Sequence, residues 1–387
     1  MNQKVSTALD ASPGSLRSAA PGSAGDARTS RLRWIQVLRL MVRFQSILGL
    51  VIVFVAAVIV SPRVNGQLIF LEPRNLGNII QDISEYGILA VGMTFVIISG
   101  GIDLSVGRAL GLATVVIGRL MMVSGWDAIP AVLGTLAVGL IFGMVQGAVL
   151  VRFKLQAFIV TLAGMWIAYG LALSLLPNGQ FIGITFGNGP NHAPTIFQHL
   201  ADRFMGVVPV AALIFLGVGL LGLIILNFTR FGRQVYAIGG NERAARLSGI
   251  PVARVRIIVF GIAGLMAALA GIVDAGQFNF GNPAEGFGYE LWAIACVVIG
   301  GTSLFGGRGS MVGTLAGVLM LGCINNILLL CNIDNNVHTI VTGLIVVVAA
   351  ALQTVVGGFS SSVEADQPTR PAGLEPAQPG QEVPKSV

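Results

Sequence analysis

The side chains that ordinarily carry covalent chemistry are few in this sequence and badly spaced for it. Three cysteines, Cys296, Cys323 and Cys331, and three histidines, His192, His199 and His338, show neither CxxC nor the Cys/His spacing of a zinc site. A nucleotide-binding P-loop needs a lysine between glycine and Ser or Thr; Lys4, Lys154 and Lys385 have no such neighbours. No metal, nucleotide or other cofactor is therefore expected in this chain, and no catalytic group. What the polar residues can do is bind. The stretch DAGQFNFGNPAEGFGYELW, residues 274–292, sets Phe278, Phe280, Phe287, Tyr289 and Trp292 beside Gln277, Asn279, Asn282 and Glu290. Flat aromatic faces suit the C–H patches of a sugar, and amides or carboxylates suit its hydroxyls. The same residues would also serve as an aromatic belt at a membrane interface. Asn325 and Asn326 form a polar pair in an apolar run; such pairs glue helices by hydrogen bonds or line a path. Asp103 lies in a glycine-rich break, where a lipid-exposed carboxylate costs about 2.5–3.5 kcal/mol. Capping the half-helix that begins at Leu104 and Ser105 is favoured for it over contact with cargo, because broken backbone at membrane depth needs side chains to satisfy it.

The elements that must position these residues are apolar. Of 387 residues, 54% are hydrophobic and 10% charged, with a mean hydropathy of +0.83, against about 25% charged in a soluble domain. Such a surface faces lipid. Ten runs approach the roughly 20 residues that cross a bilayer as helix: 41–60, 79–99, 109–123, 129–151, 157–176, 206–227, 255–275, 291–304, 311–331 and 337–356. The third and eighth are short. Fifty-two glycines suit close helix approach and interrupted helices. The reading is an all-α polytopic membrane protein, with polar tails at 1–40 and 357–387 too rich in small and polar residues to pack. The first apolar run starts too far in for a secretory signal and stays as an anchor.

Basic residues set the orientation. Arg31, Arg33, Arg39 and Arg43 open the first span, Arg152 and Lys154 follow the fourth, six arginines from Arg230 to Arg256 flank the sixth-to-seventh link, and Arg308 follows the eighth. Ten spans with both termini cytoplasmic put all of these inside. The net charge of +6 is thereby explained without nucleic acid. A shift of 200 residues aligns SGGIDLSVGRALGLAT (99–114) with IGGTSLFGGRGSMVGT (299–314), matching Gly100, Gly101, Leu104, Gly107, Arg108 and Thr114 to Gly300, Gly301, Leu304, Gly307, Arg308 and Thr314. Both copies follow even-numbered spans, as in parallel repeats about the membrane normal.

One polar segment interrupts the apolar pattern. In GGNERAARLSGIP (239–251), Asn241 is a good N-cap, Glu242 suits the positive helix end, Gly249 supplies a left-handed terminus and Pro251 blocks continuation. A helix of two turns over 241–248 is marginal alone. Its small face, Ala244, Ala245 and Ser248, permits close approach, and Arg243 and Arg246 offer charged contacts. Two partners fit: another protein, or anionic lipid.

Four stretches together, VYAIGGNERAARLSGIPVARVRI (235–257), GGIDLSVG (100–107), AFIVTLAGMWIAYGLAL (157–173) and GYELWAIACVVIGGTSLFGGRGSMVGTLAGVLMLGCINNIL (288–328), resemble the membrane permease subunits of ribose-type ABC sugar importers, across about 41–356. The resemblance implies that 228–254 is a cytoplasmic coupling loop, with Gly240, Asn241, Glu242, Arg243, Ala244, Ala245, Arg246 and Gly249 meeting a separate ABC ATPase subunit that binds ATP and Mg. It also implies a homodimer in the bacterial inner membrane, a periplasmic sugar-binding protein, and a monosaccharide or sugar-like polyol as cargo. The family usually has an acid where Trp292 stands, so the cargo is not carried over. Few ionisable groups appear in the spans, whereas an ion-coupled secondary transporter, the main alternative, more often buries several. A passive channel is the other.

Overall fold

A computed structural model describes residues 45–187 and 192–334, with isolated positions between 337 and 351. The expected tails fall outside the described residues, as does most of the expected tenth span. Thirteen helices dominate the described part: α1 (Gln45–Val60), α2 (Pro73–Asp82), α3 (Ser84–Ile98), α4 (Val106–Met122), α5 (Ala128–Phe153), α6 (Ala157–Ser174), α7 (Thr195–Gln198), α8 (Val210–Phe228), α9 (Arg230–Gly240), α10 (Glu242–Leu247), α11 (Val252–Phe278), α12 (Tyr289–Ile299) and α13 (Met311–Leu330). Among the described residues, strand content is limited to three two-residue antiparallel pairs in the connections, one of them joining Ile182–Gly183 to Phe280–Gly281, and an isolated bridge between Phe186 and Ala193.

Five helices, α5, α6, α8, α11 and α13, are long and apolar enough to cross a membrane alone, and α2 with α3 makes a sixth span bent by 46°. The all-α, polytopic character expected from composition is present. Among the described residues the count of ten is not reached by single unbroken helices: α1 is short, α12 has 11 residues, and the span expected at 79–99 begins at Pro73 and bends at Ile83.

Burial separates the helices into layers. In α3 every residue but Tyr86 is buried, as a helix apolar on all sides must be in a bundle core. Around it lie α8, α11, α12 and α13. The apolar window of α11 is 72% buried, against 28% in α5 and α6, so the latter pair supplies lipid-facing surface. α5 and α11 touch backbone to backbone: Gly139, Gly143 and Gly147 lie one turn apart, and a Cβ at Gly143 would strike the Phe260 carbonyl while one at Gly264 would strike that of Gly139. This is small-residue packing of the kind that replaces the hydrophobic effect between helices in lipid. Thr94 and Thr314 hydroxyls, 2.8 Å apart, tie α3 to α13.

Local signals end the helices where function needs turns. Lys154 and Asn279 adopt left-handed conformations and stop α5 and α11. Thr229, Asn241 and Ser310 cap α9, α10 and α13 by accepting the N–H groups of Gly232, Ala244 and Gly313.

Candidate functional site

Two regions carry the features a transporter needs: an end where outside force could be applied, and a cavity within the bundle. The first is built on α10. Asn241 Oδ1 accepts from Ala244 N–H at 3.0 Å, and Gly249, at φ +79°, closes the helix with Ile250 N–H on the Ala245 carbonyl. Glu242 joins two cations, Arg246 at 2.8 Å and Arg256 of α11 at 2.7 Å, which fastens the short helix to a long one.

The helix differs from its sequence reading in three ways. The link before it is not a loop: residues 230–240 form α9. Ala245 does not face outward but is buried in the protein's own core, because the amphipathic turn puts one small residue inward; Arg243, Ala244, Arg246 and Ser248 remain exposed. Leu247, which the sequence reading passed over, is 90% exposed at the tip. A large apolar side chain directly after Arg246 in an otherwise small and polar segment was the signal available for it.

Behind α10, three glycine segments meet. Gly307 N–H donates to the Ile98 carbonyl at 2.9 Å. A Cβ on Gly239 would strike that carbonyl and Gly307 N, one on Gly306 would strike Gly100, and one on Gly307 would strike Gly240. The α3–α4 and α12–α13 connections, the two copies of the proposed repeat, thus lie at the same end of the bundle, both in backbone contact with the end of α9. Tyr236 of α9 donates its hydroxyl to the Gly309 carbonyl at 2.8 Å, and burial pushes its phenol pKa up, so it stays a donor. Displacement of α9–α10 must move both loops.

The second region is a cavity of about 310 Å³ between α2, α3, α11, α12 and α13. Phe278, Tyr289, Trp292, Asn325 and Asn326, all singled out from sequence, line it. On one wall, Tyr86 stacks on Tyr289 (centroids 4.4 Å apart) and Trp292 (5.5 Å). Asn326 also exchanges two 3.0 Å hydrogen bonds with Asn75 of α2, so one of the asparagines joins helices while both border the space. The other wall is polar. Arg203 donates to Gln81 at 2.7 Å, Gln81 to Gln277 at 3.0 Å and Gln277 to Glu85 at 3.3 Å. Asp82 completes the lining on the α2 side.

Three candidates stand apart from this cavity. Asp103 is buried beneath the glycine break, where its Oδ1 accepts from Ser105 N–H (2.8 Å) and Ser105 hydroxyl (2.7 Å) at the start of α4. Asn279 ends α11 in the left-handed region, its carbonyl accepting from Ile184. Glu290 turns toward Gly107 of α4, near Arg108, whose guanidinium lies 4.4 Å from both the Tyr169 and Phe287 ring centres and holds the Pro283 carbonyl at 3.1 Å. These three pin the 279–290 segment and the broken helix. Gln277, named with the aromatic stretch, also lines the cavity, whereas Asp82, Glu85 and Tyr86 were missed. Their signal was the run DISEY inside an apolar span, where an ionisable residue by itself marks a functional candidate. The few carboxyl groups of the bundle, Glu85, Asp103, Asp274 and Glu290, are all buried in the protein.

Residues 75–350 match the model of a family described as "Branched-chain amino acid transport system / permease component". The ribose import permease protein RbsC of Bacillus subtilis (strain 168) is 39% identical over 305 residues, 79% of this chain and 90% of that one. The chain belongs to this family of transport permease components. The permease is likewise 39% identical over 305 residues to the ribose import permease protein RbsC of Escherichia coli (strain K12), covering 79% and 91% of the two chains. With the xylose transport system permease protein XylH of Haemophilus influenzae it shares 32% over 342 residues, 74% and 90% of each. No solved structure matches the permease. It is a multi-pass membrane protein, and the cavity lies inside its helical bundle.

Proposed function

We propose that the permease imports a monosaccharide or sugar-like polyol across the bacterial inner membrane, with the 310 Å³ cavity as a station on the cargo's path. The carrying observation is the lining: aromatic faces on one side and amides and carboxyls on the other, in a chain whose relatives are named for ribose and xylose. A free amino acid, named in the family description, would bring a carboxylate up against Asp82 and Glu85; no lysine or arginine borders the space itself, Arg203 standing behind it and engaged with Asn78 and Gln81, and a neutral polyol meets no such repulsion. The volume is at the low end for ligand sites, about 300–1,000 Å³, which favours a single sugar ring over a disaccharide.

Energy comes from a separate ABC ATPase subunit that binds ATP and Mg and docks on α10, with Leu247 as its apolar anchor and Arg243 and Arg246 around it. The permease itself performs no covalent chemistry and binds no cofactor. It works as a homodimer, alternating access along the dimer axis, and receives cargo from a periplasmic sugar-binding protein. Arginines clustered on α9, α10 and the start of α11 support a cytoplasmic position for that end, and with it both termini.

The test is uptake of radiolabelled pentoses, hexoses and inositol by cells lacking and then regaining this gene. Restored, ATP-dependent accumulation of one of them supports the reading. Restored uptake of branched-chain amino acids and of no sugar would overturn it.

A further inference from the structure

The cavity's polar wall ends in an arrangement that carbohydrate recognition alone does not explain. Asp274 of α11 is 0% exposed and Glu85 of α3 is 5% exposed. Neither oxygen of Asp274 meets an N–H or O–H donor; the side chain stands one turn before Gln277 on the same face of α11, the face that packs on α3 and from which Gln277 reaches Glu85 at 3.3 Å, so the two carboxyls face each other across that seam. Two carboxylates are acceptors only, and like charges in contact within a dry interior repel strongly. A proton on one of them turns the contact into a donor–acceptor pair.

The surroundings supply no substitute for that proton. Asp82 of α2 and Glu285 of the α11–α12 connection add negative charge, while Tyr86, Tyr289 and Cys296 are neutral neighbours. Arg203 is turned to Asn78 and Gln81, at 2.7 Å each. Among the described residues no group of three His, Cys, Asp or Glu side chains could hold a metal ion. Gln277 reaches Glu85 from the cavity side but gives it a single N–H.

We infer that Glu85 and Asp274 form one acid pair that holds a single proton between them, and that this pair is the hydrogen-bonding floor of the cavity. Glu85 faces the space and accepts from a cargo hydroxyl; Asp274, behind it, is a positioning residue that shares the proton and keeps the floor at one negative charge instead of two. The role toward cargo rests on the reading of the cavity given above. The proton does not.

Infrared difference spectra of the purified permease, free of cargo and ATPase, test the proton directly. The wild type minus Asp274→Asn, and the wild type minus Glu85→Gln, should each contain the carbonyl stretch of a protonated carboxylic acid at neutral pH. In uptake, Asp274→Asn, whose amide N–H replaces the shared proton, should stay close to wild type, whereas Asp274→Leu should lower the maximal rate about tenfold or more. Absence of the acid band in either difference spectrum overturns the shared proton. Wild-type uptake by Asp274→Leu overturns the floor role. Failure of the wild type to import any sugar would overturn the cargo reading and leave the infrared result standing.

Discussion

Replacing Gly239 by alanine adds one methyl group where the three glycine segments meet. Its Cβ would stand 2.5 Å from Gly307 N, against the 3.4 Å at which ordinary contact begins, and closer still to the Ile98 carbonyl. Both obstacles are backbone, so neither can rotate away. The methyl must separate α9 from both loops and break or stretch the 2.9 Å bond between Gly307 N–H and Ile98. Overpacking costs about 1–3 kcal/mol and the hydrogen bond about 1 kcal/mol. At tenfold per 1.4 kcal/mol, the resulting sum of about 2–4 kcal/mol shifts the closed junction by a factor of about 30 to 700. The assay is uptake and ATP hydrolysis measured together in vesicles holding the permease and its ATPase. Gly239→Ala should cut uptake at least about tenfold while the partner continues to hydrolyse ATP. Gly217→Ala, in α8 and with nothing within 4 Å of its added carbon, should leave both unchanged. Equal rates for Gly239→Ala and wild type, or equal damage from Gly217→Ala, would refute the junction as the route of force.

Other outcomes follow from single contacts. Leu247→Asp, at an exposed tip, should leave thermal stability in detergent unchanged and abolish co-purification of the ATPase; retained co-purification argues against Leu247 as an anchor. Glu242→Arg loses both of its ion pairs and should lower uptake with the protein still in the membrane, as fractionation and uptake on the same cells would show. Gly143→Leu drives a side chain into the Phe260 carbonyl and should destabilise the α5–α11 pair by about 1–3 kcal/mol, read as a lower unfolding midpoint and reduced membrane yield. Asn326→Leu strands the buried Asn75 amide, costing about 1–3 kcal/mol, and Asn75→Leu in the same chain should recover part of it.

How far the sequence could be read depended on the range of the cause. Asn241, Gly249 and Pro251 act on their immediate neighbours, so the start and end of α10 were legible to within a residue. Trp292, Tyr289 and Asn325 could be named as candidates because aromatic and amide side chains are conspicuous in apolar helices. That they share one cavity with Tyr86 and Glu85 was not legible, since α3 and α12 are some 200 residues apart in the chain and meet only through packing. The same holds for Ala245: on a two-turn helix, which small residue faces inward is decided by where α11 lies. Glu85 and Asp274 were missed separately because each looks like an isolated charge, and only their contact makes the pair. The glycine repeat was visible as text, whereas its meaning, backbone contact at Gly100, Gly239 and Gly307, belongs to three distant segments.

Transport by the permease reconstituted with and without its ATPase tests the central claim most directly. Accumulation of labelled sugar that requires ATP, ATPase and an intact α10 is the predicted result. Sustained accumulation by the permease alone, driven by an ion gradient without nucleotide, would contradict it.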